Sequence, residues 1–340
     1  MIESIHFENF KVLRDATLPL GPLTLIVGPN GSGKSTAIQG LLALAGRYSA
    51  QSDELWPVSA PPTHERRATV VAQFADAYDF ATARLAMIEG SAGRDVVSTN
   101  RSKTPPAGWE DVKAQVLKHL ERVRAYAFQS RLMTAPVQLA PKAEFAEDGR
   151  NLAIVLDRIR DEAPERFEAL NAELGRWLPE FDHVLFETPS PGHRSFALRT
   201  RREQRPIQAR NLSDGTLLAL AMLCLAYSPD PPPVVCFEEP DHGLHPRLMR
   251  DVRDALHRLA YPENFGETRG AVQVIVTTHS PILLDLFRDH PEEVVIANKV
   301  GTEATFQRLS DIPNFEEILG ECSLGDAWYT GILGGVPTEP

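Results

Sequence analysis

The chain has few cysteines, no long apolar run and no leader-like start. Three cysteines occur in 340 residues. Cys224, Cys236 and Cys322 lie among apolar neighbours without the spacing of a metal site, as reduced core residues do. The apolar stretch 217–226 is too short to span a bilayer, and the first residues lack the basic and apolar blocks of a signal peptide. We therefore expect a cytoplasmic protein that does not enter a membrane itself. Any contact with a membrane would need a partner protein.

Positive charge is also scarce. Lys and Arg number 35 against 46 Asp and Glu, a net charge of −11, which excludes a surface that is basic all over. One local concentration of arginines lies in a predicted hairpin: Arg194, Arg199, Arg201, Arg202, Arg205 and Arg210. This group could contact the phosphate backbone of DNA or form a solvated hairpin face, and both interpretations stay open. Aromatic residues are poorly interleaved with it, which disfavours stacking on single strands.

One glycine-rich segment stands out from this background. Residues 28–36 read Gly-Pro-Asn-Gly-Ser-Gly-Lys-Ser-Thr and follow the apolar run 23–27, which predicts a strand, a tight turn and a helix start in the pattern G-x-x-x-x-G-K-[ST]. We call residues 28–36 the phosphate loop. Its glycines let backbone N–H groups point at a β- or γ-phosphate, and the helix N-terminus adds its positive end.

The side chains of the phosphate loop predict a site for ATP and Mg²⁺. Lys34 offers a positive charge to the phosphates and acts in catalysis, while Ser35 offers a hydroxyl to Mg²⁺. The predicted nucleotide-binding residues of this segment are Asn30, Gly31, Ser32, Gly33, Lys34, Ser35 and Thr36.

A second segment, residues 234–240, joins an apolar strand to two carboxylates. It reads Val-Val-Cys-Phe-Glu-Glu-Pro, which places the acids at the carboxyl edge of a buried strand, where open α/β sheets bind ligands. Glu238 is predicted to hold Mg²⁺ through its water shell. Glu239 is predicted as the catalytic residue that orients and polarises the attacking water, a task worth about 10²–10⁴-fold in rate.

Two further segments each have an ordinary structural interpretation when taken alone. Ser213 is a good N-cap for the apolar helix predicted over 216–227, and Gly215 leaves the backbone there open to an anion. His279 follows the apolar strand predicted over 272–277 and could reach a γ-phosphate. The order of the four segments along the chain favours a functional interpretation of both.

Together the four segments resemble the Walker A, signature, Walker B and histidine-switch motifs of the ABC ATPase superfamily. Leu-Ser-Asp-Gly-Thr at 212–216 and Glu-Glu-Pro-Asp-His-Gly-Leu-His-Pro at 238–246 are typical of its soluble RecF/SMC-like branch, the AAA-family or OLD-like ATPases. The resemblance implies an α/β P-loop NTPase fold, namely an ABC-type ATPase head with a mixed central β-sheet and a helical subdomain. It covers the chain outside residues 47–120.

The resemblance also implies a dimeric mechanism. In ABC ATPases each ATP lies between the Walker motifs of one subunit and the signature of the other. Ser213 and Gly215 are therefore expected to bind the partner's γ-phosphate in an ATP-dependent, head-to-tail homodimer. His279 is expected to act in catalysis as a γ-phosphate sensor. Gln129, after the strand predicted over 124–128, is the candidate glutamine-loop ligand of Mg²⁺.

The chain departs from the transporter pattern at three positions. Asp214 replaces the second glycine of the signature, Glu238 replaces the usual Walker B aspartate, and His245 stands where many relatives carry an aspartate. These differences disfavour a transporter subunit more than they disfavour ATP hydrolysis. The sequence shows neither the acidic cluster of a nuclease domain after His279 nor coiled-coil arms. We expect one ATPase domain over 1–340, with a variable insertion at 47–120, in which residues 69–85 are predicted to form a strand or a helix.

Two roles for such an ATPase stay open. One is DNA repair or maintenance, in which ATP-driven closure grips duplex DNA. The other is control of a separate effector protein, a toxin or a nuclease, as in phage-defence systems of this group. The sequence identifies neither the DNA nor the effector partner.

Overall fold

The computed structural model describes residues 1–48, 67–75, 81–88, 91–93, 98–99, 108–140, 143–301, 303–313, 315, 317 and 322–334. In chain order the strands are β1 (Ile2–Phe10), β2 (Leu13–Pro19), β3 (Leu23–Val27), β4 (Arg67–Phe74), β5 (Ala81–Ile88), β6 (Ser91–Gly93), β7 (Ser98–Thr99), β8 (Arg124–Tyr126), β9 (Val137–Gln138), β10 (Phe181–Glu187), β11 (His193–Thr200), β12 (Pro206–Gln208), β13 (Val234–Glu238), β14 (Gln273–Thr278), β15 (Val294–Val300) and β16 (Glu303–Arg308). The helices are α1 (Lys34–Leu44), α2 (Trp109–Glu121), α3 (Ser130–Met133), α4 (Leu152–Glu162), α5 (Pro164–Trp177), α6 (Asp214–Ala226), α7 (Met249–Ala260), α8 (Pro281–Asp285) and α9 (Leu324–Tyr329). None of the helices in the described ranges is both long enough and apolar enough to cross a membrane.

The chain divides into two compact units, each built from separate stretches of sequence. Unit 1 comprises Met1–Ala125, Pro232–Glu238 and Val272–Pro340, whereas unit 2 comprises Tyr126–Pro231 and Glu239–Ala271. The boundary therefore passes between the two predicted Walker B acids. That the chain is one ATPase domain with a variable insertion stays a prediction, and much of 47–120 lies outside the described residues.

The central sheet of unit 1 has the strand order β16-β15-β3-β14-β13-β8. β15, β3, β14 and β13 are parallel, whereas β16 is antiparallel to β15, so the sheet is mixed as predicted. β3 and β14 are buried along their whole length, which explains why most of their residues are apolar and none is charged. The strands predicted at 23–27, 234–237 and 272–277 are confirmed.

A second, antiparallel sheet of unit 1 has the order β2-β1-β4-β5-β6, with β7 beside β5. The segment 69–85, predicted as a strand or a helix, contributes to two strands that continue the β1–β2 sheet. Helix α1 packs closely against β1, since a Cβ on Gly40 would stand 2.5 Å from Cε1 of the buried Phe7. This packing fixes the helix that follows the phosphate loop.

Unit 2 combines helices α4–α7 with a sheet of order β10-β11-β12, in which β9 also pairs with β11. Nearly all of α6 is buried, as its apolar sequence predicts. The side-chain Oδ1 of Asn171 on α5 accepts a 2.9 Å hydrogen bond from the backbone N of Val184 on β10, which ties helix to sheet. The hairpin predicted around the arginine group is formed by β11 and β12, in which Leu198 stands opposite Ile207.

Candidate functional site

Three of the predicted segments meet at one edge of the central sheet of unit 1. The register of β3, β14 and β13 places Thr278 beside Val27 and Thr277 beside Glu238. The phosphate loop, His279 and Glu238 therefore stand at the carboxyl ends of three adjacent parallel strands. Open α/β sheets bind their ligands at this edge, so the structure brings these predicted residues together at a suitable place.

The path of the phosphate loop depends on its glycines. A Cβ on Gly28 would stand 2.4 Å from the carbonyl O of Ala297, closer than any real Cβ contact. Gly31 and Gly33 have left-handed φ angles of +74° and +92°, which cost little only for glycine. A Cβ on Gly33 would also stand 2.7 Å from Cδ2 of Leu13. Larger residues would therefore displace the loop.

Two buried polar side chains lie inside the phosphate loop. The Nζ of Lys34 donates hydrogen bonds to the carbonyl O of Gly28 at 2.7 Å and of Pro29 at 3.0 Å. The Oγ of Ser32, a fully buried residue, has no hydrogen-bond partner among the described residues. A buried hydroxyl without a partner costs free energy. Its position in a loop with a buried lysine fits the binding of a phosphate.

The predicted magnesium ligands offer oxygen atoms of the kind that Mg²⁺ prefers. Ser35 is exposed on the first turn of α1, and Glu238 is half-buried at the end of β13; both belong to unit 1. Gln129 belongs to unit 2, where it is exposed and its backbone N donates to the carbonyl O of Asp148 at 3.0 Å. The donor set of Ser35 and Glu238 fits Mg²⁺, and the metal role of Gln129 stays a prediction.

Glu239 has an unusual backbone conformation. Its φ is +47°, in the left-handed region that residues other than Gly, Asn and Asp rarely adopt. Its carbonyl O accepts a 3.0 Å hydrogen bond from the backbone N of His242, which closes a turn, and its side chain is exposed. Backbone strain of this kind concentrates at functional sites. No sequence pattern indicates this conformation.

The signature segment forms the N-terminus of α6 in unit 2. The Oγ of Ser213 accepts a 3.2 Å hydrogen bond from the backbone N of Thr216, which confirms the predicted N-cap. A Cβ on Gly215 would stand 3.3 Å from the carbonyl O of Gly243 and 3.8 Å from Cδ2 of Leu244. Within unit 2, α6 therefore begins against the turn that follows Glu239. That Ser213 and Gly215 bind a nucleotide stays a prediction.

Four of the six arginines in the predicted hairpin make side-chain contacts within unit 2. The Nε of Arg194 donates to Asp157 Oδ2 at 2.8 Å, and the Nε of Arg199 donates to Asp182 Oδ1 at 2.8 Å. The bond from Arg199 lowers the pKa of Asp182 below its ordinary value. Arg201 donates to the carbonyl O of Gly175 at 3.1 Å. The Nη1 of Arg205 lies 3.7 Å from Oε2 of Glu203, and four of the arginines are exposed: Arg201, Arg202, Arg205 and Arg210.

Two small residues that were not predicted from the sequence lie against the glycines of the phosphate loop. Ala297 on β15 and Ala304 on β16 are buried. Their Cβ atoms lie 2.9 Å and 3.4 Å from the positions that a Cβ would take on Gly28 and Gly33, respectively. No motif marks these alanines, because their contact with the loop depends on the strand pairing of the folded chain.

Comparison with known protein families agrees with this geometry. Residues 94–285 match the family described as "AAA domain, putative AbiEii toxin, Type IV TA system", and residues 1–84 match the family described as "AAA ATPase domain". A segment of 57 residues, 17% of this chain, is 42% identical to the OLD nuclease of Thermus scotoductus. A segment of 52 residues, 15% of this chain, is 44% identical to the chromosome partition protein Smc of Methanococcus voltae. These segments span 10% and 4% of those two proteins.

Solved structures share the fold over most of the chain. A Smc head bound to the C-winged helix domain of ScpA matches with a TM-score of 0.62 at 15% identity, covering 90% of this chain and 97% of that one. The SMC head domain of Thermotoga maritima matches with a TM-score of 0.53 at 17% identity, covering 90% and 98%. A Smc head of Pyrococcus furiosus with an extended coiled coil, bound to the C-terminal domain of ScpA, gives 0.59 at 16% identity, covering 94% and 98%. The predicted fold class is confirmed.

Proposed function

The chain belongs to the family described as "AAA domain, putative AbiEii toxin, Type IV TA system", and from this premise we propose that it is an ATP-hydrolysing switch that dimerises head-to-tail around Mg-ATP in the cytoplasm. Membership of an ATPase family implies nucleotide binding. The phosphate loop, Glu238 and His279 lie at one edge of the central sheet. This arrangement is the observation that supports ATP hydrolysis beyond nucleotide binding.

The phosphate loop binds the nucleotide in this proposal. Lys34 supplies positive charge inside the loop, and the Ser32 hydroxyl is a buried polar group that a phosphate oxygen can satisfy. The N-terminus of α1 adds its positive end to the same place. The triphosphate is therefore bound tightly, because the backbone of the loop, Lys34 and the N-terminus of α1 all bind the same phosphate group.

Mg²⁺, when bound, neutralises charge on the phosphate oxygens. The hydroxyl of Ser35 and the carboxylate of Glu238 would hold it, since both offer oxygen atoms at the same sheet edge. Gln129 remains the candidate for a further ligand. These residues would hold the metal, and other side chains would carry out the proton chemistry.

Glu239 and His279 carry out the proton and charge chemistry. Glu239 accepts a hydrogen bond from the attacking water and polarises it, and its left-handed backbone fixes the direction in which the chain leaves β13. His279 directly follows the central strand β14. It contacts the γ-phosphate, so this contact is lost when the γ-phosphate is released. Ser213 and Gly215 of a second copy complete the site across the dimer.

Glu239→Gln tests this mechanism. The variant keeps a side chain of the same size and loses the carboxylate, so we expect it to bind ATP, to hydrolyse it at least about 10²-fold more slowly, and to accumulate dimers with Mg-ATP. Size-exclusion chromatography with light scattering and a phosphate-release assay measure the two effects.

A matched control is Glu168→Gln, which makes the same chemical change at an exposed position of α5. It should hydrolyse ATP and elute as the wild type does. A Glu239→Gln protein that stays monomeric with Mg-ATP and turns over normally would overturn the proposed mechanism.

The purpose of the switch has two candidates, each favoured by one finding. Similarity to a chromosome partition protein and to an OLD nuclease supports a role in DNA repair or maintenance. The family description, which names a toxin system, supports control of a separate effector in phage defence. The exposed arginines Arg202, Arg205 and Arg210 are the remaining candidates for a DNA contact.

The ATP-trapped Glu239→Gln dimer separates these two roles. DNA binding that weakens steeply with salt, and that decreases when Arg202, Arg205 and Arg210 are changed to Gln, would support DNA maintenance. Co-purification of one effector protein in stoichiometric amount, without DNA affinity at low salt, would support regulation of an effector.

A further inference from the structure

Strand β15 extends past the end of its parallel neighbour β3. Pairing with β3 covers Val294 to Ile296, opposite Leu25 to Val27. Pairing with β16 on the other side continues as far as Val300. The last residues of β15 therefore run alongside the phosphate loop, which begins where β3 ends.

One face of this extension touches the phosphate loop. Lys299 stands opposite Ala304 in the β15–β16 register, so the two share a face of the sheet, and Ala297 lies on the same face two residues earlier. This face meets all three glycines of the loop. Measured to the position of a Cβ on each glycine, the contacts are Ala297 Cβ to Gly28 at 2.9 Å, Ala304 Cβ to Gly33 at 3.4 Å and Lys299 Nζ to Gly31 at 3.4 Å.

The charge of Lys299 is not neutralised by the acidic residue on the neighbouring strand. Glu303 precedes Ala304 on β16 and so lies on the other face of the sheet, and its carboxylate lies 3.8 Å from Nη1 of Arg14. Within the described ranges, no carboxylate lies within ion-pair distance of Lys299, and its side chain is exposed. Among the residues that the structure describes, the ammonium group therefore carries an unneutralised positive charge, and it lies beside Gly31 of the loop.

We propose that Lys299 is a second phosphate-binding cation of this site, which contacts the polyphosphate of the nucleotide held by the same loop. The inference rests on the proposed function. Lysine suits this task as a compact charge on a flexible stem that can reach a phosphate oxygen. Ala297 and Ala304 contribute indirectly, because their small side chains let the strand approach the loop closely enough for Lys299 to extend over Gly31.

Lys299→Gln tests the proposal through nucleotide affinity. We expect the Kd for ATP to rise about tenfold, as the loss of a hydrogen bond between charged groups predicts, and the rise to shrink at high salt because the side chain is exposed. The measurement is isothermal titration calorimetry with ATP and with ADP in the presence of EDTA, so that hydrolysis does not interfere. Lys299→Arg should keep most of the affinity.

Lys118→Gln is the matched control, since it removes the same charge from an exposed position at the end of α2. It should leave the Kd of both nucleotides within about twofold of wild type. A rise for ATP alone, or for ATP and ADP together, supports Lys299 as a phosphate contact. The ADP titration reports the site within one subunit, because ADP is not expected to close the dimer.

Two negative outcomes are distinguishable. If wild type binds ATP and Lys34→Ala abolishes binding, but Lys299→Gln binds like Lys118→Gln, the assignment of Lys299 is wrong and the proposed function stands. If wild type binds neither nucleotide, both fail. Lys299→Met, with a stem of similar length and no charge, serves as a second neutral variant should the Gln substitution lower stability.

Discussion

At the scale of single residues, the three glycines of the phosphate loop are required for different reasons. Gly28 has no positive φ, and close contact with the carbonyl O of Ala297 excludes a Cβ there. Gly31 has a left-handed backbone and Gly33 has both constraints. The motif specifies Gly28 and Gly33 but leaves position 31 open. The structure supplies the reason for the third glycine.

Glu239 permits a test of backbone strain that is separate from catalysis. Glu239→Gly and Glu239→Ala both lose the carboxylate, so both should lose ATP hydrolysis. Their stabilities should differ, because glycine adopts a φ of +47° freely whereas alanine keeps the penalty. We expect the Gly variant to be more stable than the Ala variant by about 0.5–1 kcal/mol.

Urea unfolding of the two Glu239 variants measures that difference, with equal m-values as the check that the same transition is compared. An Ala variant as stable as the Gly variant would show that the left-handed backbone at 239 carries no strain.

Sequence analysis predicted the residues whose role depends on their near neighbours. The N-cap of Ser213 follows from a polar residue before an apolar run, and Lys34 follows from the loop pattern. The left-handed backbone of Glu239 and the contact of Lys299 with Gly31 could not be predicted from the sequence. Both depend on how distant strands register in the folded chain, which no local spacing encodes.

At the scale of elements, Glu267 ties together two helices and a loop of unit 2. Its Oε2 lies 2.7 Å from Nε of Arg269 and 3.0 Å from Nη1 of Arg166 on α5, and its Oε1 lies 2.5 Å from Nη1 of Arg258 on α7. Burial alone would raise the pKa of Glu267, but the hydrogen bonds and charges of these arginines lower it overall. The ionised carboxylate therefore stabilises the fold.

Glu267→Gln should destabilise the protein at neutral pH by about 3 kcal/mol, because three largely buried arginines lose their counter-charge. The folded-state pKa lies below the ordinary value of 4.5, so the contribution of Glu267 is complete above that value and is lost as the pH falls through the folded pKa. The difference between wild type and variant should be constant from pH 7 to about pH 5.5 and shrink below pH 4.5.

Chemical denaturation of wild type and Glu267→Gln at several pH values checks this dependence. Glu263→Gln, an exposed change in the preceding turn, is the control and should show little effect at any pH. A difference that grows toward acid pH would contradict the ionised form as the stabilising one.

The positions of helices and strands were predicted well where the pattern of apolar residues fits only one type of element. The buried strands β3, β13 and β14 each contain a short, mostly apolar run, and α6 contains a longer one. The segment 69–85 was ambiguous between strand and helix, since short apolar runs do not separate the two. This segment forms strands because it pairs with β1. That pairing joins residues far apart in sequence, so it could not be predicted from the local pattern.

At the scale of the whole molecule, nucleotide binding and dimerisation should both raise thermal stability. A ligand that binds only the folded state at 100 times its Kd adds about 2.7 kcal/mol. If Mg-ATP also closes a dimer, the stabilisation of Glu239→Gln should increase with protein concentration. Differential scanning calorimetry at two protein concentrations measures this.

Lys34→Ala is the control for that experiment, since it removes the buried loop lysine and should show no shift with Mg-ATP. A shift in Glu239→Gln that is the same at both protein concentrations would indicate a monomer that binds ATP without closing on a second copy.

The order in which unit 1 uses the chain has a consequence for synthesis. β3, whose five residues are all buried, lies between β14 and β15, and the ribosome makes those strands only after residue 272. A nascent chain thus carries the phosphate loop long before the strands that flank it exist. An incomplete translation product leaves this apolar strand unpaired and therefore prone to aggregation, and it lacks the strands that flank the nucleotide site. The site that binds ATP is therefore incomplete until translation has produced β15, which ends at Val300.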